Sequence, residues 1–214
     1  MPSNAISIRN TIAPNLPIGP TEYSQAYQDQ FSNVLRLYFN QIDNVNGALL
    51  GTTGGQYLAN TYIAVQNNSN TTATANTATI VSFSTVDYSS GMSLANSAIT
   101  VTQSGIYNLQ FSIQIENNDN DIHYADIWLR KNGADIAATA SRIVLPARKD
   151  ASTFNYALGA ANFFVSLSAG DNVSLYWATD SNAVSLVSLP ALTSPYIRPV
   201  SPSVVATLSF VSRL

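Results

Sequence analysis

GIYNLQFSIQI, residues 105–115, decides the fold. Tyr107, Leu109, Phe111, Ile113 and Ile115 occupy every second position, with Asn108, Gln110, Ser112 and Gln114 between them. Successive side chains of an extended chain point to opposite faces, so this stretch is a strand with one face in a core and the other wet. The alternation returns in DIWLRKNGADI at 126–136, through Ile127 and Leu129. It appears again in VSLSAGDNVSLYWA at 165–178, through Val165, Leu167, Val173, Leu175 and Trp177. Asn132-Gly133 and Gly170-Asp171 supply tight turns, and the set predicts an antiparallel sandwich.

Working outward, strands are expected at Tyr57–Val65, Ile80–Phe83, around Val184 and Leu186, and from Val204 to Val211, with a long polar loop over 67–79. Pro190, Pro195, Pro199 and Pro202 mark an irregular crossing before the last strand, because proline cannot donate to a ladder. Short strands separated by turn signals indicate a sandwich or jelly roll rather than βαβ units.

The N-terminal part reads differently. Pro2, Pro14, Pro17 and Pro20 favour an extended arm over 1–20, ordered against a neighbour or else a disordered tail. Tyr23, Tyr27, Phe31, Val34, Leu35, Tyr38 and Ile42 fall at spacings of three and four, the stripe of an amphipathic helix over 21–43. Thr21 is its expected N-cap, with Glu22 in the first turn where the helix dipole favours a carboxylate. These seven side chains are the candidate attachment and oligomerisation surface, to be covered by the chain's own domain, a symmetry mate or another protein. The expected division is 1–46 for arm and helix, 47–56 for a Gly-rich hinge and 57–214 for a β head.

Composition narrows the function classes. The 214 residues carry 10% charged residues, against about 25% in ordinary domains, and a net charge of −3. A phosphate-binding surface needs several Lys and Arg on one face, so nucleic acid is not an expected partner. Without cysteine there is neither a disulfide framework nor a thiolate zinc site. No apolar run approaches the roughly 20 residues that cross a bilayer, and the N-terminus lacks the pattern of a secretory signal, so no membrane partner is expected.

Few residues suggest site chemistry. His123 is the only histidine, and no G-x-S-x-G elbow accompanies it, so the expectation is a loop or interface residue and a protein that is not an enzyme. Glu116, Asp119, Asp121 and Asp126 make an oxygen-rich stretch that reads as a solvated loop, with calcium as the second reading and otherwise no cofactor. Arg142, Arg148 and Lys149 form the densest basic patch, solvated or else paired with carboxylates on a neighbour or an anionic glycan.

Gly105-Ile106-Tyr107 followed by Leu109 and Phe111 resembles the aromatic strand of the tumour necrosis factor and complement-q superfamily. Leu129 to Gly133 is similar to that family's hairpin, and Leu167 to Leu175 to its Gly-Asp turn and following strand. Val204–Phe210 stands where the closing strand belongs but lacks the usual Phe-Gly element. The likeness covers about 57–214, and the segment EYSQAYQDQFSNVLRLYFNQIDN resembles one that precedes such heads in proteins of tailed phages. The resemblance implies a trimeric jelly-roll head in a virion structural protein, decorating or cementing the capsid or carried on the tail at the virion surface. Implied partners are two further copies and major capsid or tail proteins. The alternative is a receptor-binding tip of a fibre or spike, with loops 67–79, 116–124 and 146–156 on a host surface glycan or protein.

Overall fold

The computed structural model describes residues 11–50 and 60–213, in two compact units that divide between Ala59 and Asn60. In the first, helix α1 runs Gln25–Leu50. It begins four residues later than the stripe suggests, because Ser24 is the N-cap: its hydroxyl accepts the Tyr27 N–H at 3.3 Å, and its carbonyl accepts the Gln28 N–H. Thr21 and Glu22 lie outside the helix, and no acidic residue sits in its first turn. The Tyr27 hydroxyl donates to the Pro17 carbonyl at 3.1 Å, which folds the arm back on the first turn. Gly47 and its neighbours, expected in the hinge, complete the helix to Leu50, and the rest of the hinge lies outside the described residues.

The second unit is built from strands in two antiparallel sheets. In chain order they are β1 (Tyr62–Asn67), β2 (Thr71–Thr72), β3 (Thr79–Ile80), β4 (Thr85–Ser90), β5 (Met92–Ala95), β6 (Ala98–Val101) and β7 (Gly105–Asn117). They continue as β8 (His123–Lys131), β9 (Ala134–Asp135), β10 (Ser141–Leu145), β11 (Asn155–Leu167), β12 (Asn172–Thr179), β13 (Val184–Leu186) and β14 (Val204–Ser212). Sheet A runs β4–β1–β14–β7–β11, with β13 and β2 continuing from the end of β7 beside β14. Sheet B runs β10–β8–β12–β6–β5, with β9 beside β10 and β3 beside β6.

The core lies between the sheets. Tyr107, Leu109, Phe111, Ile113 and Ile115 are all buried, as alternation requires, against Ile127, Leu129, Leu175 and Trp177 from sheet B. Tyr107 keeps its hydroxyl satisfied by donating to the Gln103 carbonyl at 2.7 Å, and the Phe210 ring meets it edge-on at 5.6 Å. The turn after β8 has positive φ at both Asn132 (51°) and Gly133 (82°), the I′ geometry that Asn-Gly favours.

Several strands differ from expectation. The first begins at Tyr62, not Tyr57, and residues 57–59 of the expected strand lie outside the described ones. The expected loop 67–79 contains β2 and the start of β3, and β3 ends at Ile80 instead of Phe83. The proline-rich crossing is irregular, tied by isolated bridges Leu189–Ser201 and Leu192–Arg198. The largest departure is β11, 13 residues long and paired with β7 along its whole length.

Candidate functional site

The outward sides of the two sheets have opposite chemistry. On sheet A, register places Tyr156, Leu158, Ala160, Asn162, Phe164 and Ser166 of β11 beside Glu116, Gln114, Ser112, Gln110, Asn108 and Ile106 of β7. Val205, Thr207 and Ser209 of β14 continue these rows, followed by Gln66, Ala64 and Tyr62 of β1. Glu116, at one end, is the only charged side chain among them. Leu158 and Phe164 are 66% and 67% exposed. A shallow depression of about 240 Å³ lies at the centre, between β7 and β14. The Asn108 Oδ1, covered from solvent on this face, has no hydrogen-bond partner among the described residues.

The outward side of sheet B is charged and aromatic. Arg130 stacks over the Tyr176 ring at 4.0 Å, and Asp135 accepts from both Arg130 Nε and Trp128 Nε1 at 2.6 Å. Arg142 grips both oxygens of Asp126 at 2.8 Å, with its guanidinium 5.4 Å from the Tyr124 ring centre. At this end a cleft of about 390 Å³ opens between Tyr124, Asp126, Arg142, Thr179, Asp180 and Asn76.

A buried amide and the lone histidine organise the adjacent loops. Asn117, fully buried, donates to the carbonyls of Asp121 (2.9 Å) and Pro146 (2.9 Å) and accepts the Asp119 N–H (2.9 Å). His123 bridges two carboxylates, with Nε2 3.0 Å from Asp119 and Nδ1 3.3 Å from Asp180. Burial alone lowers its pKa, but the hydrogen bonds to Asp119 and Asp180 outweigh it and hold the imidazole above its ordinary value. The His123 hydrogen bond holds Asp119 below the usual carboxylate range, helped by the Asn120 N–H. Burial pushes Asp180 up, and the Tyr124 N–H and His123 more than reverse it, so it too lies low.

The sequence-derived candidates separate. Tyr27, Phe31, Val34, Leu35, Tyr38 and Ile42 share one half-buried stripe of α1, with the Tyr27 and Phe31 rings stacked at 6.1 Å. Tyr23 leaves the set: it precedes the helix and is 83% exposed. The acidic stretch does not converge, and among the described residues no three His, Asp or Glu side chains are placed to hold a metal. Instead Asp119 pairs with His123, Asp126 with Arg142, and Glu116 lies beside Tyr156, whose hydroxyl is pushed up by burial and by that carboxylate. Arg142, Arg148 and Lys149 are not a free basic patch, because Arg142 is engaged by Asp126 and Arg148 donates to Asn120 Oδ1 at 2.9 Å. Among the described residues no helix is long and apolar enough to cross a membrane.

Sequence reasoning missed Asn117 and the cleft. A buried Asn beside a polar loop gives no periodic signal, and the cleft draws on residues from 76 to 180. No protein-family model matches the chain, and no curated protein matches it.

Proposed function

We propose that the chain is a non-enzymatic structural protein of a tailed-phage virion, a homotrimer of jelly-roll heads joined to the capsid or tail through residues 1–46. The observation that carries the assembly reading is the outward side of sheet A. It is broad, almost uncharged and partly apolar, whereas sheet B presents ion pairs and stacked arginines to solvent. Charged residues are depleted at the cores of interfaces, and a face without them has little reason to remain wet.

The jelly-roll assignment is supported by connectivity. The chain crosses between sheets from β2 to β3, β3 to β4, β4 to β5, β6 to β7, β7 to β8, β10 to β11, β11 to β12 and β12 to β13, which a simple meander does not do. A stoichiometry of three rests on the family resemblance. The virion role rests on that resemblance and on α1, whose apolar stripe contains no fully buried residue. Three such helices on one particle bind through effective concentration, each with a modest contact. For the non-enzymatic reading, both nitrogens of the single imidazole face carboxylates, so neither is offered to a nucleophile.

Sedimentation equilibrium of the full chain tests the assembly, with an expected mass three times the 22.9 kDa of one chain. A monomer at high concentration rejects it. Deleting residues 1–46 leaves a trimeric head that no longer joins the particle, and full incorporation of that truncation rejects the attachment role.

A further inference from the structure

We infer that the cleft at the end of sheet B is a binding site for a neutral saccharide, with Tyr124 as the platform for one sugar ring. All its residues come from one protomer, so the inference stands or falls separately from the trimer. The volume, about 390 Å³, lies within the roughly 300–1,000 Å³ of small-molecule sites. Its walls come from a rigid scaffold: β8 supplies Tyr124 and Asp126, β10 supplies Arg142, and Asp180 immediately follows β12. Asn76 comes from the loop between β2 and β3, held by its N–H to the Thr179 carbonyl at 2.7 Å, with φ of 59°.

The chemistry selects the ligand class by elimination. An anion would meet the carboxylates of Asp126 and Asp180, and the one guanidinium present has two of its N–H groups committed to Asp126. A purely apolar ligand would strip water from those carboxylates without replacing its hydrogen bonds. A sugar ring satisfies both constraints. Its hydroxyls donate to the carboxylate lone pairs left free by Arg142 and accept from the Asn76 amide, while its C–H face rests on the Tyr124 ring, 40% exposed. Asp126 and Arg142 neutralise one another, while His123 is shared by Asp119 and Asp180, so the net charge left around the cleft is negative and turns an anion away.

The geometry is also prepared in advance. Asp180 is fixed by the Tyr124 N–H at 3.0 Å and by His123, and Asp126 by its two-point contact with Arg142, so binding orders few side chains. Trp128 lies four residues along β8, about 14 Å away at roughly 3.4 Å per residue, on the same side of the sheet. Arg130 lies over the Trp128 and Tyr176 rings there, so a ligand of two or three linked rings would meet that guanidinium next.

The test is calorimetric titration of the full chain with neutral oligosaccharides (lactose, maltotetraose, cellotetraose, mannotriose), with sialyllactose and a sulfated disaccharide as anionic probes. At least one neutral probe is expected to bind with a Kd below about 10 mM. Tyr124→Ala weakens it roughly tenfold or more, while Tyr124→Phe, which keeps the ring, retains it. Leu158→Ser, on the opposite sheet, leaves it unchanged. Binding of none of the neutral probes, equal affinity in Tyr124→Ala, or preference for an anionic probe overturns the inference. An unaltered thermal transition in Tyr124→Ala guards against a folding defect, and if it shifts, protection of Tyr124 and Trp128 fluorescence from quenching by the bound sugar decides instead.

Discussion

Replacing Phe164 with Asp puts a charge on the apolar margin of the sheet A face. Phe164 is 67% exposed in the single chain and lies on β11 opposite Asn108. A phenylalanine covers about 200 Å² when fully buried, so a neighbour seated on it removes about 130 Å² from water. At about 25 cal/mol per Å² this contributes ~3 kcal/mol to each contact, a factor of about 100 in its equilibrium constant. In a closed trimer the loss occurs three times. The substituted carboxylate costs more than the truncation alone, because the surrounding rows hold no Lys or Arg to pair with it. Phe164→Asp is therefore expected to sediment as a monomer at micromolar concentrations where the proposed wild-type trimer would persist. Thr100→Asp, on β6 of the other sheet, is expected to leave the mass unchanged. A trimeric Phe164→Asp chain across the whole concentration range would refute the assignment of this face.

Three further outcomes follow from local geometry. His123 has a raised pKa in the folded chain, so its bridge contributes fully below its ordinary value of 6.5 and is lost as pH rises through the raised one. Asp119 and Asp180 lie below 3.8, so their part is present above that value and is lost as pH falls through their folded pKa values. The loop 118–122 should thus be tightest between these limits, as read by amide exchange. An imidazole titration midpoint at or below 6.5 contradicts this. At Gly105 an added Cβ would meet the Phe210 ring and lie 2.6 Å from the Ser212 carbonyl, so Gly105→Ala should destabilise the head by about 1–3 kcal/mol in urea. A change within about 0.5 kcal/mol, the range of a neutral surface substitution, contradicts that packing. Ser24→Ala removes the acceptor of the Tyr27 N–H and should lower the stability of α1 by about 1 kcal/mol, seen as lost helical dichroism on heating. An unchanged signal shows that another residue caps the helix.

What could be read from the sequence followed from how many faces each element has to bury. β7 has a core side and a polar side, so Tyr107 to Ile115 announce themselves by alternation, and Asn132-Gly133 marks its turn because few residues tolerate positive φ. β11 was not legible for the opposite reason. Its inner positions include the small Ala157, Gly159 and Ala161, and at Gly159 the Ile143 and Ile113 side chains fill the space a Cβ would take, while Leu158 and Phe164 point outward. Period-two hydrophobicity fails when the outer side is also apolar, and that irregularity is what marks the face as a candidate interface. The start of α1 was misplaced because Thr21 and Ser24 are equally suited to cap a helix. The Tyr27 contact with Pro17, a tertiary fact, accompanies the choice of Ser24. Of the candidate calcium ligands, Asp119 is taken up by His123 and the Asn120 N–H and Glu116 lies beside Tyr156, so the carboxylates do not converge.

β11 also leaves one margin of sheet A without a strand beside it among the described residues, over 13 residues with no charge and no proline. Most proteins protect such a row of free N–H and C=O groups with lysine, proline or a bulge. In the proposed trimer that protection would fall to the neighbouring copy, which would make folding and closure of the oligomer parts of one safeguard. A substitution such as Val205→Asp, which puts a charge into the same outward rows and leaves β11 itself uncharged, is therefore expected to yield fibrous aggregates, whereas a charge on β11 itself yields soluble single chains.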